Sequence, residues 1–184
     1  MNIIVRPYGR TDCYCRPDTT WERENKDFYV PDHVEQLLWT PVVFVRISKA
    51  GKCIGEKFAS RYHDALGFGV LMYTGNGDVA FTSCADHTSL LPAPKYDMSV
   101  MENDGDEFVV TRNGSEIFRG AVNGLADDIR SALCKASGVT TLRIGDYLAV
   151  ELAQSTILAE RGCGEVTLKA DFGEDSLTDL KIIF

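Results

Sequence analysis

The chain has 184 residues, of which 45% are hydrophobic and 25% charged, the balance of a folded protein able to bury a single core. Twenty-seven acidic against 19 basic residues leave a formal charge of −8, and with no Lys/Arg stripe to offset it, a nucleic-acid partner is excluded. The opening residues 1–10 carry only Ile3, Ile4 and Val5 as an apolar run, and no stretch approaches the ~20 apolar residues that span a bilayer, so a cytoplasmic location without a membrane partner is expected.

Six cysteines (Cys13, Cys15, Cys53, Cys84, Cys134 and Cys163) are too sparse for a disulfide framework and are expected as reduced thiols. Cys13 and Cys15 form a C-x-C pair that could hold a soft metal, but no second pair completes a zinc site, so chance proximity is the favoured reading. Residues 42–47 are β-branched and aromatic between Pro41 and Lys49-Ala50-Gly51-Lys52, which predicts a buried strand ending in a turn. Ile54, Phe58, Tyr62 and Leu66 recur every fourth position and predict an amphipathic helix stopped by Gly67. Residues 67–73 read as a second buried strand closed by Gly75-Asn76-Gly77, and residues 78–94 show no period and end in a loop. Asn113-Gly114 accepts positive φ at both turn centres, so residues 107–112 and 115–119 should form a two-residue hairpin. Asn123 is placed to cap a helix carrying Leu125, Ile129 and Leu133 on one face and ending at Gly138. Residues 142–152, 165–172 and 178–184 read as strands broken at Gly145-Asp146 and Gly173-Glu174. With no repeat and no linker, residues 1–184 form one domain of mixed β structure with peripheral α.

This order of elements resembles the fumarylacetoacetate hydrolase family. The words that carry the likeness are Arg16-Pro17-Asp18-Thr19, Phe28-Tyr29-Val30-Pro31-Asp32, Arg46-Ile47-Ser48-Lys49-Ala50-Gly51-Lys52, Asn113-Gly114 and Leu142-Arg143-Ile144-Gly145-Asp146, spread over residues 16–184. The resemblance implies a β-roll of several small sheets with peripheral helices, assembled as a homodimer. In active members it implies a Glu-x-Glu on the strand before the Gly-Lys turn and an Asp on the strand after the helix. Side chains two apart on a strand share a face, so these carboxylates build an all-oxygen site for Mg²⁺ or Ca²⁺. Such an ion acts as a Lewis acid on dicarbonyl substrates.

In this sequence the two Glu positions fall on Thr40 and Val42 and the Asp position on Leu71. One neutral hydroxyl and two apolar side chains cannot replace the charged oxygens a hard dication requires, so no metal cofactor is expected. The family's lysine position falls on Ser83, its Thr-Gly-Thr-Pro loop on Val150-Glu151-Leu152-Ala153, and the shortened N-terminal segment leaves Tyr8-Gly9-Arg10 without a histidine. The expectation is a degenerate, non-catalytic homologue acting as a binding or assembly module, as a homodimer or beside an active paralogue. The alternative is a hydrolase, isomerase or decarboxylase acting on a small oxo acid or dicarbonyl through a rebuilt site. The first predicts a filled apolar pocket around Thr40 and Leu71, the second convergent polar groups with perturbed ionisation there.

Other candidates are weaker. Cys84, Asp86 and His87 hold a thiol and an imidazole within four residues, the minimum for nucleophilic catalysis, although an unstructured polar loop gives the same letters. His63 is expected to be exposed on the predicted helix, and His33 to lie beside a turn. The acidic clusters 102–107 and 171–175 could bind Ca²⁺ weakly but lack the long loop closed by a bidentate Glu, and read as solvated turns.

Overall fold

In the computed structural model, which describes residues 1–102 and 105–184, the apolar runs fold as strands rather than helices. In chain order the strands are β1 (Ile3–Arg6), β2 (Tyr14–Arg16), β3 (Trp21–Glu22), β4 (Phe28–Tyr29), β5 (Gln36–Ile47), β6 (His63–Tyr73), β7 (Ser89–Leu90), β8 (Glu107–Arg112), β9 (Ser115–Ala121), β10 (Tyr147–Glu151), β11 (Thr156–Glu160), β12 (Glu165–Phe172) and β13 (Asp175–Ile183). The α-helices are α1 (Val79–Thr82), between β6 and β7, and α2 (Leu125–Val139), between β9 and β10. An eight-stranded sheet runs β2-β1-β10-β5-β6-β7-β3, with β11 also paired to β5, and a five-stranded sheet runs β4-β13-β12-β8-β9.

The long strand β5 is buried on both faces, so its sequence reads as one continuous hydrophobic run although its side chains alternate. Leu37, Trp39, Val43, Val45 and Ile47 point to the main core, where they meet β6, the five-stranded sheet and helix α2. Phe68 anchors this core, its ring stacked 4.4 Å from Phe172 and 5.3 Å from Phe108. Leu38, Val42 and Phe44 point the other way, into a smaller cluster with Ile3, Val5, Leu71, Tyr73, Tyr147 and Ala149. That second face carries the positions singled out by the sequence.

Several expectations hold. The 113–114 hairpin forms between β8 and β9, with Asn113 at φ 50° and Gly114 at φ 77°, both in the left-handed region that a mirror-image tight turn requires. Strands β12 and β13 pair as an antiparallel hairpin around Gly173.

Others are corrected. β5 begins at Gln36 and runs through Pro41 rather than starting after it. The Pro41 carbonyl accepts from the Leu152 amide, so its nitrogen faces the same side, where the neighbouring strand changes from β10 to β11, and the missing N–H leaves no ladder bond unmade. The predicted helix over 54–66 is only a 3₁₀ segment, Glu56–Arg61, followed by β6 from His63. Pairing of His63 with Ile47, Ala65 with Arg46 and Leu66 with Val45 overrides the local four-residue period. Helix α2 is capped by Gly124 at φ 84° instead of by the Asn123 side chain, and continues through Gly138 to Val139. Residues 143–146 are a turn rather than strand, because Asp146 accepts from the Arg143 amide at 2.9 Å and from the Asn2 amide at 2.8 Å. Strands β1, β2 and β11 carry no clear signal in the sequence.

Two glycines on β6 let the second face close. A Cβ on Gly67 would lie 2.4 Å from the Phe44 ring, and one on Gly69 would lie 2.4 Å from the Leu90 carbonyl oxygen. The ring can shift a little, whereas the β7 backbone is fixed by its pairing with β6. Gly69→Ala is therefore expected to destabilise the fold by about 2 kcal/mol, read as a lower urea midpoint; an unchanged midpoint would show that β7 is not held against β6.

Candidate functional site

Thr40, Val42 and Leu71 lie together. Thr40 pairs with Leu71 and Val42 with Gly69 across β5 and β6, and alternation puts all three side chains on the second face. Each is 0% exposed. Val42 and Leu71 pack with Ile3, Val5, Phe44 and Ala149. The Thr40 hydroxyl donates to the Ala153 carbonyl at 2.6 Å, so the one oxygen of the three is directed to the backbone.

A carboxylate does reach this place, from an unexpected strand. On the other side of β5, Glu151 of β10 pairs with Val42 and shares its face with Tyr147 and Ala149. Tyr73 of β6 pairs with Leu38, one strand over in the opposite direction, and its hydroxyl donates to Glu151 Oε1. This hydrogen bond therefore passes over β5 at Thr40. The second carboxylate oxygen accepts the Tyr8 amide at 2.9 Å, and the Tyr14 hydroxyl lies 2.7 Å from that of Tyr73.

Behind this group sits Arg16, 0% exposed, donating through Nε to the Ser83 carbonyl at 2.9 Å and through Nη2 to the Met72 carbonyl at 2.7 Å and Thr88 Oγ1 at 2.8 Å. Its guanidinium carbon is 5.1 Å from the Tyr73 ring centroid, a cation–π distance. Arg16 Nη1 and Ser83 Oγ are buried without a hydrogen-bond partner. Burial pushes the Glu151 carboxyl above the usual range, against the opposing pull of the Tyr73 hydroxyl, the Tyr8 amide and Arg16. Burial likewise raises Tyr73, and pushes Tyr14 up to about 12. Tyr14, Tyr73 and Glu151 line a cavity of about 230 Å³ with Leu38, Asn76 and Ser155. The arrangement can accept hydrogen bonds from a small molecule and can hold or move one proton at Glu151.

The remaining sequence candidates do not converge. Ser83 is fully buried. The Cys84 thiol is exposed and donates to the Ala80 carbonyl at 2.9 Å, whereas His87 Nδ1 lies 3.0 Å from Glu22 Oε2; Asp86 is exposed beside them. The thiol and the imidazole are thus engaged with different partners. His63 opens β6 instead of riding on a helix, and it is half-buried, with Nδ1 unpartnered and its pKa lowered by burial. His33 is exposed. Cys13 and Cys15 line one small cavity of about 130 Å³, and burial raises both thiols, Cys13 to about 11. Among the described residues no group of three or more His, Cys, Asp or Glu is arranged to hold a metal ion. In the cluster 102–107, Asn103 and Asp104 lie outside the described residues, while Glu107 is paired with Arg119. In the cluster 171–175, Asp175 is held by Tyr96 at 2.8 Å and Lys95 at 2.9 Å.

Sequence reasoning missed Tyr14, Tyr73 and Glu151. The one available signal was Tyr147-Leu148-Ala149-Val150-Glu151, a buried apolar strand ended by a single charged residue.

The same arrangement of strands recurs in solved structures. A protein from Yersinia pestis CO92 assigned to the fumarylacetoacetate hydrolase family superposes with a TM-score of 0.79 at 13% identity, covering 99% of this chain and 92% of that one. The fold is that of the fumarylacetoacetate hydrolase family. Fumarylpyruvate hydrolase from Pseudomonas aeruginosa, solved with Mn²⁺ and pyruvate, superposes with a TM-score of 0.78 at 12% identity, covering 100% of this chain and 90% of that one. The 5-carboxymethyl-2-hydroxymuconate delta-isomerase from Mycobacterium smegmatis gives 0.78 at 13% identity, over 99% and 78% of the two chains. No family model matches the sequence, and no curated protein is similar to it in sequence.

For a divalent ion of the kind the fumarylacetoacetate hydrolase resemblance implies, the residues at Thr40, Val42 and Leu71 do not fit. Two are apolar and the third is a neutral hydroxyl bonded to a carbonyl, so the three bring no charged oxygen to the place. Restoring one acid should therefore not recreate a site. Leu71→Asp places an unpaired charge in a sealed apolar cluster and is expected to cost about 3–5 kcal/mol, measured by chemical denaturation, with no recovery on adding Mg²⁺ or Mn²⁺. Recovery with either ion would reveal a latent site.

Proposed function

We propose that this chain is a metal-independent binding domain built on the fumarylacetoacetate hydrolase fold, with its ligand seat at the Tyr14–Tyr73–Glu151 cavity. The observation that carries the reading is the Tyr73–Glu151 hydrogen bond over Thr40, above three fully buried side chains at the positions where the resemblance puts metal-binding carboxylates. A hard dication there would need several charged oxygens, which Val42, Leu71 and the carbonyl-bonded Thr40 do not supply.

A second reading, a metal-free enzyme on a small oxo acid, draws support from Glu151 itself. A buried carboxyl with a raised pKa in a cavity is the usual setting of a general acid or base. Both readings dispense with the metal, and one titration tests them together. Calorimetry with Mg²⁺, Mn²⁺ and Ca²⁺ is expected to give no saturable heat at a single site, and micromolar one-to-one binding lost on substitution of Thr40 would restore metal-dependent chemistry to first place.

A further inference from the structure

Counting protons around Glu151 identifies the kind of molecule its cavity can take. Tyr73 has one hydroxyl hydrogen and gives it to Glu151 Oε1, so in the contact between the two tyrosines Tyr14 is the donor and Tyr73 the acceptor. The Tyr8 amide hydrogen is directed at Oε2. The relay therefore runs one way, from Tyr14 through Tyr73 to Glu151, and its hydrogens are all committed. What it offers the cavity is acceptor capacity: the free lone pairs of the Tyr14 oxygen and the second lone pairs of the carboxylate.

Charge narrows the choice further. Glu151 is only 9% exposed, yet among the described residues no cationic side chain hydrogen-bonds to it. The nearby Arg16 directs its bonds to Ser83, Met72 and Thr88. Arg10, at the cavity rim, is held by Asp12 through two bonds of 2.8 and 2.6 Å, and Arg6 on β1 is paired with Asp128 of α2 at 2.6 Å. Arg6 and Arg10 are thus ion-paired elsewhere, and Arg16, whose Nη1 is unpartnered, makes no hydrogen bond to the carboxylate. Leu38 and the two tyrosine rings supply apolar surface for an alkyl stem and for the face of a cation, beside the polar wall residues Asn76, Thr82 and Ser155.

We propose that this cavity binds a small organic cation, an ammonium or guanidinium group on a short alkyl stem, whose N–H donors complete Glu151 and Tyr14. The cavity volume of about 230 Å³ is below the ~300–1,000 Å³ typical of drug-sized sites, which limits the stem to a few carbons. A charge-assisted hydrogen bond to a desolvated carboxylate is roughly twice as strong as a neutral one, so a cation is selected over an alcohol of the same shape. An oxo-acid anion would instead meet the carboxylate and the outward acceptors of the relay. The inference rests on the metal-independent reading of the same face.

The test is calorimetric titration of the whole chain in chelator-containing buffer with propylammonium, methylguanidinium, 1-propanol and pyruvate. One-to-one saturation by at least one of the cations is expected, at least about tenfold tighter than propanol, with pyruvate silent and the affinity reduced at least about tenfold in Glu151→Gln. Should that variant fail to fold by circular dichroism, the unmodified chain still decides. Cation binding must weaken as pH falls through the Glu151 titration and must release protons across that titration, because only the ionised carboxylate pairs with the ligand. Binding of pyruvate in preference to the cations, equal binding of propanol, an unaffected Glu151→Gln, or no saturation by either cation at millimolar concentration would each overturn the proposal. Because divalent ions are chelated throughout, such a failure is distinct from the appearance of a metal site, which would instead show in the separate metal titration.

Discussion

The hydrogen bond from Tyr73 to Glu151 crosses the central strand of the larger sheet, and the rest of the site is arranged around it. It joins β6 to β10 over Thr40 of β5, at the place where the resemblance would put a cation between carboxylates. A bond of this kind needs its donor and acceptor on one face of three neighbouring strands, which the two-residue alternation of Leu38-Thr40-Val42, Leu71-Tyr73 and Ala149-Glu151 supplies. Removing any of these strands from register by one residue would turn the whole set to the opposite face.

The surrounding packing favours apolar side chains over carboxylates at Val42 and Leu71. Carboxylates left without their ion in a sealed apolar cluster would be strongly unfavourable, whereas fully burying a Val or Leu stabilises by roughly 1.5–3 kcal/mol. Gly67 and Gly69 leave room for Phe44 and for β7 to approach, which closes the face around Val42 and Leu71. The polarity that remains is concentrated in one acidic group and one guanidinium. Glu151 is satisfied by Tyr73 and Tyr8, while Arg16 is held by carbonyls and a hydroxyl. Glu151 and Arg16 thus share a face without a hydrogen bond between them.

Much of the fold was legible in the sequence where a local signal had one physical meaning. Asn113-Gly114 demanded its hairpin, β12 and β13 alternated, and the face shared by Thr40, Val42 and Leu71 followed from strand periodicity. The helix expected over 54–66 is cut to the 3₁₀ segment Glu56–Arg61 because the residues from His63 onward pair with β5, a partner that lies elsewhere in the chain. Pro41 was read as a boundary because proline cannot donate to a ladder, and the sequence does not reveal that β10 gives way to β11 at that point. The site was half legible. That Thr40, Val42 and Leu71, the positions the resemblance points to, hold no carboxylate could be read directly, but Glu151 and Tyr73 are 78 residues apart, and the sheet order β10-β5-β6 brings them together.

The central claim is that apolar packing occupies the place of the ion. Crystals grown in millimolar Mn²⁺ and measured for anomalous scattering test it most directly. The account predicts no anomalous peak between β5 and β6, with Val42 and Leu71 in mutual contact beneath an intact Tyr73–Glu151 bond. A strong peak coordinated by Thr40 and Glu151, with that bond broken, would contradict it.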